Sequence, residues 1–122
     1  MTMKRMVGLD EAPEYVPPGH YKGVDKVLVS RETTGARNLE VWYGYLEPDA
    51  TVAPHSHINN EQVYFVIKGK VSICIEGEKM IGLPFKSIFI ERGAEHSVEV
   101  LGEYSEVLII TSPPPEKTSQ EN

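Results

Sequence analysis

His55 and His57 stand two positions apart in the stretch APHSHINNEQVYFVIKGK, residues 53–70, and are two of the chain's four histidines. Successive side chains of a β-strand point to opposite faces, so this spacing presents both imidazoles on the same face. Such a pair can ligate a divalent cation, although a His-x-His pair is also ordinary solvated strand surface. What separates the two is whether further donors converge on the pair. A third histidine, His96, opens a run after the glycine turn in IFIERGAEHSVEV, and a facing strand would carry it to the other two. His20 lies in a proline- and glycine-rich stretch and reads as a solvated surface residue. No histidine or carboxylate is left over as a dedicated base, so no catalytic residue is assigned.

The segments that must position these histidines read as β almost throughout. Runs rich in Val, Ile, Tyr and Phe recur as KVLVSRE, LEVWYGYLE, QVYFVIKG, VSICIEG, SIFIE, HSVEVLG and SEVLIITS. Turn formers separate them, among them Thr34-Gly35, Pro48-Asp49, Gly77, Arg92-Gly93 and Gly102. No stretch keeps a helical period, and short strands at roughly ten-residue spacing predict an all-β sandwich or small barrel. Residues 1–23, with Pro13, Pro17, Pro18, Gly19 and Gly23, form an expected N-terminal arm. Residues 24–112 form the expected barrel domain. The tail from 113 to 122 is proline-rich and then polar, and is expected to be disordered.

Composition narrows the partners. A chain of 122 residues can bury one sizeable core, so a single domain is the default. Lys and Arg number 12 against 18 Asp and Glu, a net charge of -6, which argues against nucleic acid and anionic membrane surfaces. Cys74 is the only cysteine, excluding an internal disulfide framework and any multi-thiolate zinc site. The N-terminal residues lack the apolar core of a signal peptide, and no segment approaches the ~20 apolar residues of a membrane span. A cytoplasmic location is expected.

On these residues the chain resembles the cupins, small antiparallel β-barrels of the double-stranded β-helix or jelly-roll type, which carry two sequence motifs. The first is similar to a glycine, five residues, His-x-His, three or four residues, a glutamate, six residues and a closing glycine. His55 and His57 match the pair and Gly69 the closing glycine, while Asp49 stands at the opening glycine. Aspartate tolerates left-handed turn geometry better than most residues, so the turn can survive there. The second motif resembles Pro-x-Gly, two residues, then histidine: Gly93 and His96 match. Glu91 replaces the proline, Phe85 an earlier glycine and Val100 a frequent asparagine.

The resemblance implies a fourth metal ligand, for which the spacing after His57 allows Glu61 or Gln62. Gln62 leaves the six residues before Gly69 that the motif requires, whereas Glu61 leaves seven, so Gln62 is favoured. Strand parity admits only one of them to the inner face. The implied ligand set is then His55, His57, Gln62 and His96 around Zn, Fe, Ni or Mn. With neutral ligands only, the cation keeps its charge and favours an anionic or chelating small molecule. Tyr64, two residues past Gln62, is the candidate substrate-binding side chain. Trp42, Tyr43 and Tyr45 are candidates to line the pocket, and Arg31 or Arg37 to meet a substrate anion. Inward Gln62 turns Val63, Phe65 and Ile67 outward, and an outer apolar row needs cover, which a second subunit would supply, so a homodimer is expected, with the N-terminal arm as the competing cover. The family implies an enzyme of oxygenase, decarboxylase, isomerase or lyase type; a ligand-binding or sensor domain and a metal-free structural barrel are the alternatives.

Overall fold

The structure, a computed structural model, describes residues 4–115, so most of the tail expected to be disordered lies outside the described residues. Nine strands follow in chain order: β1 (Glu14–Tyr15), β2 (His20–Val29), β3 (Glu40–His55), β4 (Glu61–Lys68), β5 (Val71–Ile75), β6 (Glu78–Gly82), β7 (Ser87–Ile90), β8 (His96–Val100) and β9 (Ser105–Ser112). A single helical turn, α1 (Arg31–Thr34), links β2 to β3. Ser30 caps it by accepting from the Thr33 amide, which a polar capping residue does for amides that have no intrahelical partner.

All strand pairs are antiparallel, and the main path runs β6-β5-β8-β3-β9-β4-β7, with β2 added to β3 and β1 to β2. This is the expected all-β fold, a nearly closed jelly-roll barrel. Strand β3 makes closure possible. Its first half, Glu40 to Leu46, pairs with β9, and its second half, Thr51 to His55, pairs with β8. Between the halves Asp49 has a φ of 69°, so the residue at the motif's glycine position does adopt left-handed backbone. Phe85, at the other replaced glycine, has a φ of 70° although its side chain is bulky. At Gly69, where φ is 90°, an added β-carbon would stand 2.2 Å from Ser105 Oγ, so only glycine fits.

Alternation sorts the inner surface. On β4, Gln62, Tyr64 and Val66 are buried; on β9, Ser105, Val107, Ile109 and Thr111; on β3, Glu40, Trp42, Gly44 and Leu46. Register stacks these into layers. Gln62 is opposite Thr111, which is opposite Glu40; Tyr64, Ile109 and Trp42 form the next layer; Val66, Val107 and Gly44 the one after, extended by Asp25 of β2. The aliphatic members, with Ile73, Ile88, Ile90 and Val98, make the core. Each contributes about 1.5–3 kcal/mol by leaving water. They hold rigid the strand ends on which the polar groups sit.

Candidate metal centre

Each histidine is placed by a different piece of that frame. His55 ends β3 and His96 begins β8, and the two are directly paired across the ladder. His57 lies in the loop just past β3, and the Gly93 amide, in the turn before His96, donates to the His57 carbonyl at 2.8 Å. The turn thus fixes both histidines together. Ring centroids are 4.2 Å apart for His55 and His96, 4.8 Å for His55 and His57, and 5.5 Å for His57 and His96. One ring nitrogen from each lies within 4.8 Å of the others, so the three could hold a metal ion.

The protonation of the rings suits that use. His55 Nδ1 lies 2.8 Å from the Ala53 carbonyl and His96 Nδ1 lies 3.1 Å from the Ala94 carbonyl. A carbonyl can only accept, so these Nδ1 atoms carry the proton and leave the Nε2 lone pairs free. His96 Nε2 is buried and has no hydrogen-bond partner. Burial lowers the pKa of His57 to about 4, helped by repulsion from His55 and His96. Burial also lowers that of His96, against the opposing Ala94 hydrogen bond. Both are neutral imidazoles at neutral pH, the form that ligates.

Gln62 faces inward, 8% exposed, whereas Glu61 is exposed to solvent. The Gln62 amide nitrogen donates to Thr111 Oγ1 at 3.0 Å, and its carbonyl oxygen is buried without a partner. Buried polar atoms without partners are uncommon and costly. Here Gln62 Oε1 and His96 Nε2, an oxygen and an imidazole nitrogen, are both lone-pair donors, so the group these residues fit is a cation.

The histidine end opens into a small cavity of about 50 Å³. Tyr64 and Trp42 line it with His55, His57 and Gln62; Tyr43 and Tyr45 do not. Arg31 and Arg37 line a different surface cleft with Glu40, Pro114 and Pro115, which adjoins this cavity at Pro115 but does not bring either arginine into its lining. His20 differs from its expectation as a solvated surface group. The proline-rich segment folds back so that β2 starts opposite Val52, and His20 lines the cavity with its Nδ1 buried and unpartnered. Burial, then repulsion from His55, lowers its pKa to about 4. Asp25 also lines the cavity, and burial pushes its pKa up to about 7. Its sequence signal is a charged residue in GVDKVLV at the same parity as the inward Val27.

Residues 42–111, more than half of the chain, match the family model described as "Cupin domain". No curated protein matches the chain in sequence. Among solved structures, the polyketide cyclase RemF from Streptomyces resistomycificus is 22% identical with a TM-score of 0.78, covering 91% of this chain and 80% of that one. A predicted oxalate decarboxylase from Thermotoga maritima is 20% identical with a TM-score of 0.77, covering 88% and 97%. KdgF from Halomonas sp. is 21% identical with a TM-score of 0.76, covering 91% and 94%. At these identities the likeness is one of fold.

Proposed function

The chain belongs to the cupin family, and from that premise we propose that it is a metal-dependent enzyme acting on a small anionic or chelating molecule inside the barrel. His55, His57, His96 and Gln62 would hold the cation, and imidazole with amide oxygen suits Zn, Fe, Ni or Mn. When bound, such a cation acts as a Lewis acid toward the oxygen of a carboxylate, carbonyl or water. The observation that carries the reading is the convergence of three histidine ring nitrogens, with the buried, unpartnered oxygen of Gln62 lining the same cavity as His55 and His57.

The remaining residues support a small anion. Among the described residues no Lys or Arg lines the cavity, so the positive charge that draws an anion there would be that of the bound cation. Tyr64, fully inside, would pack against the ligand and offer its hydroxyl to it; burial holds that hydroxyl protonated, with the nearby Asp25 adding to the effect. Trp42 closes the wall, its ring nitrogen donating to Glu40 at 2.8 Å and its face meeting Tyr15 edge-on at 5.3 Å. Oxygenation, decarboxylation, isomerisation and lyase chemistry are the reaction classes such a site serves.

Elemental analysis of protein purified without a histidine tag tests the ligand set. Stoichiometric metal is expected in the parent and in Glu61→Ala, and little in His57→Ala or Gln62→Ala. Metal kept by Gln62→Ala but lost by Glu61→Ala would transfer the fourth position to the glutamate. The proposal extends to a homodimer, because Phe85 and Phe89 are 76% and 55% exposed beside the outward Val63 and Phe65. Light scattering should give twice the chain mass, and a folded monomer at micromolar concentration would remove the dimer.

A further inference from the structure

The cavity wall away from the histidines holds a group for which metal binding has no use. Asp25 is 1% exposed, and both its carboxyl oxygens are buried without a hydrogen-bond partner. It sits on β2 opposite Gly44 of β3, where an added β-carbon would stand 3.0 Å from Asp25 Oδ1. The glycine leaves the carboxyl its room. The other titratable groups lining the cavity are Tyr15 from β1, His20 from β2, His55 and His57 from the end of β3 and its loop, and Tyr64 from β4; β9 brings only Ile109. None supplies a fixed positive charge. An ionised carboxylate in such a place is costly, and no hydrogen bond among the described residues offsets it.

Resting on the metal-enzyme reading above, we propose that Asp25 is the proton-transfer group of the cavity, a carboxylic acid that bonds to and exchanges a proton with a small oxo- or hydroxy-acid. The substrate's anionic end occupies the histidine and glutamine end of the cavity. A neutral acid on the far wall admits that anion, where a carboxylate would repel it. Burial sets Asp25 to titrate near neutrality, so it can both give a proton and take one back. In the step, the Asp25 O–H bond breaks and its proton goes to the carbon of the substrate's enol form. The C=C electron pair makes the new C–H bond, and an oxygen lone pair closes the C=O. The enol hydroxyl proton then passes to the Asp25 carboxylate, directly or through water, which restores the acid. Protons and electrons balance with no oxidant or reductant.

The experiment uses the full-length, metal-loaded protein in heavy water with pyruvate, following deuterium entry into the methyl group by proton NMR. In parallel, the infrared carbonyl stretch of a protonated carboxylic acid is followed against pH in protein without pyruvate. The parent should accelerate exchange and show a band that disappears as pH rises through about 7. Asp25→Asn keeps the shape but cannot titrate. It should retain its metal, lose the band and exchange about 100-fold more slowly. Equal exchange in the two proteins, a band unchanged by the substitution, or a metal-loaded parent that does not exchange pyruvate overturns the proposal alone. A parent that binds no metal overturns the reading beneath it as well.

Discussion

The two ends of one cavity are built on opposite principles. At the histidine end, donors from β3, β4, β8 and the loop past β3 line one region, and three of the four are backed by a partner that orients them: Ala53 and Ala94 carbonyls for the His55 and His96 rings, Thr111 for the Gln62 amide. At the other end a lone carboxyl stands on β2 with no hydrogen-bond partner among the described residues. The first arrangement is one of orientation, in which hydrogen bonds on the far atoms aim the near ones. The second is one of isolation, in which an apolar wall changes what a common acid does. The same burial that keeps His57 neutral by lowering its pKa keeps Asp25 neutral by raising it. A cavity of neutral groups then relies on a cation and a substrate to bring in charge.

The largest expected effect is on the aspartate end. Asp25 binds its proton in the folded state up to about pH 7, whereas the unfolded chain releases it near 3.8. Between those values the folded state holds the extra proton, so the contribution of Asp25 to stability falls as pH rises through that window and is level above it. At about 1.4 kcal/mol per pH unit the loss is about 4 kcal/mol. His20 and His57, lowered from 6.5 to about 4, tilt the other way, with stability rising between those values. The parent's own profile therefore mixes both signs, and the difference between parent and Asp25→Asn isolates the acid. Urea unfolding of the metal-free proteins should show the Asn variant gaining on the parent from pH 4 to pH 7, then holding a constant lead. A constant difference throughout would mean that Asp25 titrates normally, and the contrast between the two ends would fail.

The next effect bears on how the isolation is arranged. Gly44 has no left-handed φ to explain it; space does, since a β-carbon there would meet Asp25 Oδ1 and Val107 Cγ2 at 3.0 Å each. Both neighbours are packed in the interior and neither can swing away freely. Gly44→Ala should cost about 2 kcal/mol by overpacking. In an Asp25→Ala background, where one of the two close contacts is gone, the same change should cost about half as much. Equal costs in the two backgrounds would place the strain on Val107 and separate the glycine from the acid.

How much of this was legible in the chain follows the same division. The barrel was legible because period-two alternation and turn residues are local signals, and the left-handed backbone at Asp49 followed from its place in a motif. The grouping of His55, His57 and His96 and the inward face of Gln62 were legible from two motifs, although His57 lies past the end of β3, where the strand period no longer places it. His20 was misread because its neighbours are prolines and glycines; that composition says nothing of a segment folding back onto β3. Asp25 was overlooked although it alternates with Val27, because a lone Asp in a strand gains meaning only from what surrounds it in space. Tyr43 and Tyr45 lie one residue off the inward parity that Trp42 occupies. Thr111 and Gly44, both silent in the sequence, act through cross-strand register, which no local pattern encodes.

Thr111 offers the finest test of orientation at the histidine end. Its hydroxyl oxygen accepts the Gln62 amide proton across the β4–β9 ladder, where the two residues are paired. A valine has nearly the shape of threonine and cannot accept, so Thr111→Val leaves packing in place and frees the amide to rotate. Rotation would turn an N–H toward the histidines half of the time, and an N–H repels a cation where the carbonyl oxygen attracts it. Metal affinity, measured by competition with a chelator, should fall about 10-fold, the low end of what losing an orienting partner costs a metal site. Because the same donor remains present, loss as complete as in Gln62→Ala would show that Thr111 supports the fold of the site and not merely the aim of one amide. No change would show that Gln62 is held by the barrel wall alone, and orientation by partner would then apply to the histidines only.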